Sequence, residues 1–150
     1  MSDGEKKVAI QTSRFGTIEA PEEKGISISG GLLGFPESTR YLMLDHDQDS
    51  PFKWLQSMDE GEVAFVVTDP LVFFPEYQVQ IRKDELAGLQ IEDGDTPMVF
   101  VILSLAAEPE NMTANLQGPI IINARTRIGR QVVLKDSEYK TKHPLFAQTA

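Results

Sequence analysis

Apolar residues in this chain come in short runs, and glycine, proline and acidic residues separate them. Val8 to Gln11 and Gly16 to Ala20 read as two strands around a tight bend. Ile26 and Ile28 show the alternation of a short strand. Gly30-Gly31 and Gly34-Phe35-Pro36 punctuate a loop. Arg40 to Asp45 is strand-like with apolar residues on both faces, so both faces are expected to be covered. After a polar loop, Asp45 to Ser50, a short aromatic segment from Pro51 to Gln56 fits a strand, and Glu62 to Thr68 fits another that Asp69-Pro70 ends. Gln78 to Arg82 alternates through Val79 and Ile81 and predicts a strand. Lys83 to Leu89 predicts one helical turn, with Asp84 and Glu85 early and Gly88 as its stop. Val99 to Leu105 is the most apolar run and the expected central strand. Tyr139 to Ala150 reads as a loosely held C-terminal tail, beginning near residue 140.

The chain shows no sustained helical period, internal repeat or low-complexity tract. Many short strands with Gly/Pro turns predict an all-β fold, a small antiparallel sandwich or barrel with at most short helical turns. At 150 residues and 41% hydrophobic content, residues 1–150 fit one domain with one core.

The richest stretch is Asn111 to Leu134. Ile120-Ile121-Ile122 and Val132-Val133-Leu134 predict the strands of a hairpin, joined by Asn123 to Arg130, with Gly129 supplying a positive φ. A polar loop, Glu108 to Gln117, leads into it. Its amides, hydroxyl and thioether (Asn111, Met112, Thr113, Asn115 and Gln117) suit recognition better than catalysis. The alternative is that Asn111, Thr113 and Asn115 cap the loop's own backbone.

Asn111-Met-Thr-Ala-Asn-Leu-Gln117, Pro119-Ile-Ile-Ile-Asn123 and Gly129-Arg-Gln-Val-Val-Leu134 resemble the FliW family of flagellar assembly factors. The resemblance continues in Phe15-Gly-Thr-Ile-Glu19, Gly31-Leu-Leu-Gly-Phe35, Pro51 to Ser57, Asp69-Pro70, Phe74-Pro-Glu-Tyr77, Tyr139 and His143-Pro-Leu145, in the family's order over nearly the whole chain. Leu33 departs from the pattern, which has proline there. The resemblance implies a compact, barrel-like β-fold. It also implies a regulator that binds CsrA, an RNA-binding translational repressor, and relieves its repression of flagellin synthesis. Flagellin is then a second, exchanging partner.

Charge supports a protein partner over a nucleic acid. The net charge is −9 and the pI about 4.7, and phosphates demand a basic face. Residues 119–150 alone carry a net +4, from Arg125, Arg127, Arg130, Lys135, Lys140 and Lys142 against two acids. Either they balance acidic strands within the molecule or they form a second contact surface. Cysteine is absent, which fits a reducing cytoplasm. No run reaches the ~20 apolar residues of a spanning helix, and the N-terminus lacks a signal-peptide pattern. A soluble cytoplasmic protein, monomeric when free, is expected.

Candidate chemistry is sparse. His46 and His143 lack the spacing of a zinc site. Asp45, Asp47 and Asp49 begin like a calcium loop, but Ser50 and Gln56 stand where such a loop needs Gly and Glu. The glycines at 30, 31 and 34 lack the Lys-Ser/Thr of a phosphate loop. No catalytic residue, metal or cofactor is expected. The stronger lead is Asp69 to Tyr77, where Phe73, Phe74 and Tyr77 lie between Asp69 and Glu76 or beside them, as an aromatic anchor with an acidic rim would. Most of these rings, and Trp54, are expected in the core, as large apolar side chains usually are, and a ring left exposed beside the acids would form the interface. The competing functions are a small hydrolase, which needs a nucleophile and base that no motif supplies, and a structural flagellar component, which needs self-assembly.

Overall fold

The computed structural model describes residues 7–28, 30–32, 34–45, 49–79, 82–134 and 138–145. Leu33, His46, Asp47, Lys135 and the last five residues lie outside that set.

Seven strands close a barrel. They are β3 (Ile26–Ile28), β4 (Arg40–Asp45), β5 (Phe52–Ser57), β6 (Ala64–Thr68), β7 (Met98–Ser104), β9 (Ile120–Asn123) and β10 (Ile128–Gln131). They pair in the order β3-β4-β5-β6-β7-β9-β10, antiparallel throughout, and the parallel pairing of β10 with β3 completes the circle. A separate hairpin, β1 (Lys7–Thr12) and β2 (Gly16–Pro21), precedes the barrel. Beyond the end of β7 two small strands extend the sheet, β8 (Thr113–Ala114) and β11 (His143–Pro144). Helix is confined to α1 (Pro70–Phe73), α2 (Lys83–Gly88) and two short 3-10 turns. The all-β barrel expectation holds.

Strand alternation sorts the apolar residues into two cores. The barrel interior takes Ile26, Ile28, Tyr41, Leu55, Val67, Phe100, Ile120 and Ile122 from its strands, with Leu32 joining them from the loop after β3. Burial pushes the Tyr41 phenol up to about 12. The outer core takes the alternate positions of the same strands: Val101 and Leu103 from β7, and Ile121 from β9. The covering layer supplies Tyr77 and Leu89 from the excursion between β6 and β7, Ala114 and Leu116 from the β8 region, Val132 and Leu134 after β10, and Leu145. The uninterrupted apolar run of β7 thus belongs to a strand buried on both faces.

Several local expectations are corrected. Gln78–Arg82 is not a strand in its described residues; the Gln78 amide donates to the Tyr139 hydroxyl at 3.1 Å instead of to a ladder. Helix α1 was not expected. Asp69 caps it by accepting from the Leu71 amide at 2.9 Å, and Pro70 fills the first helical position, where its missing N–H costs nothing. Helix α2 includes Gly88, and the left-handed residue that ends it is Gln90, with φ 56°. The final hairpin turns at residues 124–127, not across 123–130. Its positive φ belongs to Arg127 at 59°, not to Gly129. Gly129 sits in close quarters: a Cβ there would lie 3.1 Å from Ile122 Cγ1 and 3.2 Å from the Ile121 carbonyl oxygen, so a neighbour would have to give by a few tenths of an ångström. Val132 and Leu134 follow the strand, donating to the carbonyls of Pro119 and Gln117.

The tail is also corrected over its described part. Leu145 is buried at 3% exposure, β11 pairs with β8, and the Leu145 amide donates to the Met112 carbonyl at 2.9 Å. Tyr139 packs edge-on to Tyr77 with ring centroids 4.6 Å apart. Residues 146–150 lie outside the described set.

The two-sided core sets the first expected outcome. Ile121→Ala, at 0% exposure, empties a site in the outer core and should cost about 2–5 kcal/mol in denaturant unfolding. Leu105→Ala, at 58% exposure just past the same sheet, should stay within about 0.5 kcal/mol.

Candidate functional site

The two stretches singled out from the sequence, 69–77 and 111–117, meet on the outer side of β7. Tyr77 Oη donates to the Leu116 carbonyl at 2.6 Å. Phe74 packs edge-on to His143 at 5.2 Å, and His143 pairs with Ala114 in the sheet. The site residues are therefore neighbours in space, although the chain between them builds α2 and β7.

Their burial follows the core reading of the rings. Tyr77 is buried at 7% and is a core residue, because its hydroxyl satisfies the carbonyl of the equally buried Leu116. Its phenol is pushed up by burial and then by Tyr139. Phe73 stacks on Phe52 at 5.8 Å and is half-buried, as is Phe74. The apolar surface of this segment is instead Leu71 and Val72, at 53% and 56% exposure. Sequence reasoning fixed on the rings and passed over these two. The available signal was the Asp-Pro start of a helix, whose first turn turns successive side chains to different sides. Asp69 and Glu76, both exposed, flank them.

The 111–117 segment is a bracket, not a free display. Only Asn111 is exposed; Met112 is half-buried against the outer core, and Ala114 and Leu116 are buried. Asn115 Oδ1 accepts from the amides of Gln117 at 3.1 Å and Gly118 at 3.0 Å, the capping arrangement. Half-buried Gln117 gives its carbonyl to Leu134.

The basic hairpin serves the fold in part. Asn123, 1% exposed, donates to the carbonyls of Leu89 and Gln90 and accepts from the Arg125 amide. The Arg125 guanidinium forks onto Asp95, with Nε–Oδ1 and Nη2–Oδ2 both at 3.0 Å, and reaches Glu92 at 3.4 Å. That fork, then the Glu92 amide, holds the Asp95 carboxyl down at about 2. Arg127 donates to the Lys24 carbonyl at 2.6 Å, whereas Arg130, Lys140 and Lys142 are exposed.

The hydroxyl and carboxylate pairs nearest to catalytic form are committed to structure. Ser38 donates to Glu60, and Ser57 Oγ donates to Ser38 while accepting from the amides of Asp59 and Glu60. Asp59 accepts from the amides of Thr39 and Arg40. These bonds pin the turn after β5 against the chain entering β4. Among the described residues no group of three or more His, Cys, Asp or Glu side chains could hold a metal ion. Asp45, from the proposed acidic loop, pairs with Lys53.

Comparison with known proteins agrees with this architecture. The profile of the FliW protein family matches residues 8–145. The chain is 42% identical over 141 residues to a flagellar assembly factor FliW of Natranaerobius thermophilus, covering 91% of each. It is 40% identical over 141 residues to one of Geobacter sulfurreducens, covering 94% of this chain and 88% of the other. A crystal structure of a flagellar assembly factor FliW superposes with a TM-score of 0.87 at 36% identity, over 95% of this chain and 100% of that one.

Two outcomes follow from the local geometry. Asn115→Ala should lower stability by about 0.5–2 kcal/mol through loss of the cap. A thermal melt checks it. Asp95 has a folded-state pKa below its ordinary value, so its pairing stabilises the fold above about pH 4 and that contribution fades as pH falls towards 2. Arg125→Met should therefore lower the melting temperature at pH 7, and its gap from the parent chain should close over that acidic window.

Proposed function

The chain belongs to the FliW family of flagellar assembly factors, and from that premise we propose that it acts by binding proteins in the cytoplasm and carries no catalytic activity. Its partners in this reading are a CsrA-like RNA-binding translational repressor and flagellin. Binding the repressor relieves its block on flagellin synthesis, and flagellin competes for the factor.

The observation that carries this reading is the ridge on α1. Leu71 and Val72 expose apolar side chains between Asp69 and Glu76, on a chain of net charge −9. An RNA-binding protein needs a positive surface. An acidic rim speeds encounter with such a surface, and an apolar centre then slows release. The half-buried rings of Phe73 and Phe74 lie beneath this face. Among the described residues no helix is long and apolar enough to cross a membrane.

The two parts of the ridge separate kinetically. Asp69→Asn with Glu76→Gln should slow association with a CsrA-like dimer and flatten its salt dependence, with dissociation little changed. Asn remains a good helix cap, so the fold should survive. Leu71→Ser with Val72→Ser should speed dissociation and weaken binding roughly ten- to a hundredfold. Stopped-flow or biosensor kinetics with the repressor, and a pull-down with flagellin, check both. If all four substitutions leave both partners bound as before in folded protein, α1 is not the contact.

A further inference from the structure

The β1–β2 hairpin stands outside the barrel's ladder. Its two strands pair only with each other and form a separate two-stranded sheet. Such a sheet has two edges, each a row of main-chain donors and acceptors that can template another strand. The pleat turns alternate residues to opposite faces. On the inward face Ile10 is buried and Ile18 and Ala20 are half-buried, whereas Thr17 and Glu19 are exposed.

The two edges are not equivalent. The turn between β5 and β6 comes up against the end of β1. There the Ser13 amide donates to the Gly61 carbonyl at 3.1 Å, and a Cβ at Gly61 would collide with the Gln11 carbonyl oxygen. Phe15 packs edge-on to Trp54 at 5.5 Å, and the Arg14 guanidinium lies 4.6 Å from the Trp54 ring centre. These contacts fix the hairpin tip on the barrel. The far edge of β2 has no such neighbour: no hydrogen bond joins Thr17, Ile18, Glu19 or Ala20 to a described residue outside β1. Pro21, with no N–H to donate, ends that row.

Side chains say what kind of strand would fit. Glu19 is the one charge on β2, and its cross-strand partner on β1 is the neutral Ala9. It makes no ion pair among the described residues, whereas Glu22, just past the strand, has Arg40 at 4.0 Å. A cation on an added strand, placed opposite Glu19, would form the favourable cross-strand pair that β1 does not supply. Beside it, Ile18 and Ala20 keep apolar surface that β-branched side chains would cover. The β2 strand of a second copy supplies no cation, and each copy carries a net charge of −9, so self-pairing is opposed.

We propose that the free edge of β2 takes up an extended segment of a partner protein as a third strand, one that alternates β-branched residues with a lysine or arginine opposite Glu19. Main-chain bonds would give the affinity, and Glu19 the selection. The edge shares no residue with α1, so it stands or falls apart from the reading of that helix.

The test is a ¹H–¹⁵N NMR titration of the full chain with the acetylated, amidated peptide Thr-Val-Lys-Val-Thr. It should shift the amides of residues 17–20 saturably and leave those of 71–74 unmoved. Replacing its lysine by glutamate should weaken binding roughly three- to tenfold. N-methylation of its three central residues, which removes donors from both edges, should abolish binding. Glu19→Lys should melt like the parent chain, since the side chain is exposed, and should reverse the preference in favour of the glutamate peptide. The absence of saturable shifts at 17–20 would overturn the proposal, as would equal binding of the N-methylated peptide. So would an unchanged preference for lysine in folded Glu19→Lys. Concentration-dependent shifts of the same amides without peptide would give the edge to a second copy and overturn it too.

Discussion

The fold depends on β7 being buried on both faces. Met98, Phe100 and Ile102 point into the barrel, while Val99, Val101 and Leu103 point outward under a second layer. Ile120 and Ile122 against Ile121 repeat the pattern on β9. Closing a barrel removes sheet edges but leaves its outer face to water. An apolar outer face must be covered. The segments between β6 and β7, around β8, and after β10 exist in this molecule as that cover, and α1 rides on them.

Polar bonds decide where the cover sits. Hydrophobic burial is non-directional and would accept several placements of the loops. Tyr77 to Leu116 and Arg125 to Asp95 tie loop to loop, and Asn123 ties the segment at Leu89 and Gln90 to β9. Asn115, Asn123 and Tyr77 satisfy buried or turning backbone, while Leu71, Val72, Asp69 and Glu76 are exposed around α1.

Much of the barrel was legible because period-two alternation and Gly/Pro punctuation are local signals. The runs 40–45, 64–68 and 98–104 announced strands directly, and the double-sided run of β7 announced its central place. What was not legible depended on distant partners. Gln78 to Arg82 alternates like a strand, yet the amide of Gln78 finds the Tyr139 hydroxyl 61 residues away. Nothing near residue 139 signalled that the tail would fold back as β11. Gly129 looked like a turn glycine, yet it lies within β10 with a negative φ, close against Ile122 and Ile121. The candidate site was half legible. The segment 69–77 was found, but which of its apolar residues faces water depended on helix α1, only four residues long.

The central proposal is that the two-layer barrel holds α1 as the surface a CsrA-like partner would meet. Hydrogen–deuterium exchange of the chain, alone and with a CsrA-like dimer, tests it in one experiment. The account predicts slow exchange in β7 and β9 in both states, and new protection on complex formation at the amides of residues 71–74. Protection gained only elsewhere, such as on the β1–β2 hairpin, with 71–74 unchanged, would contradict it.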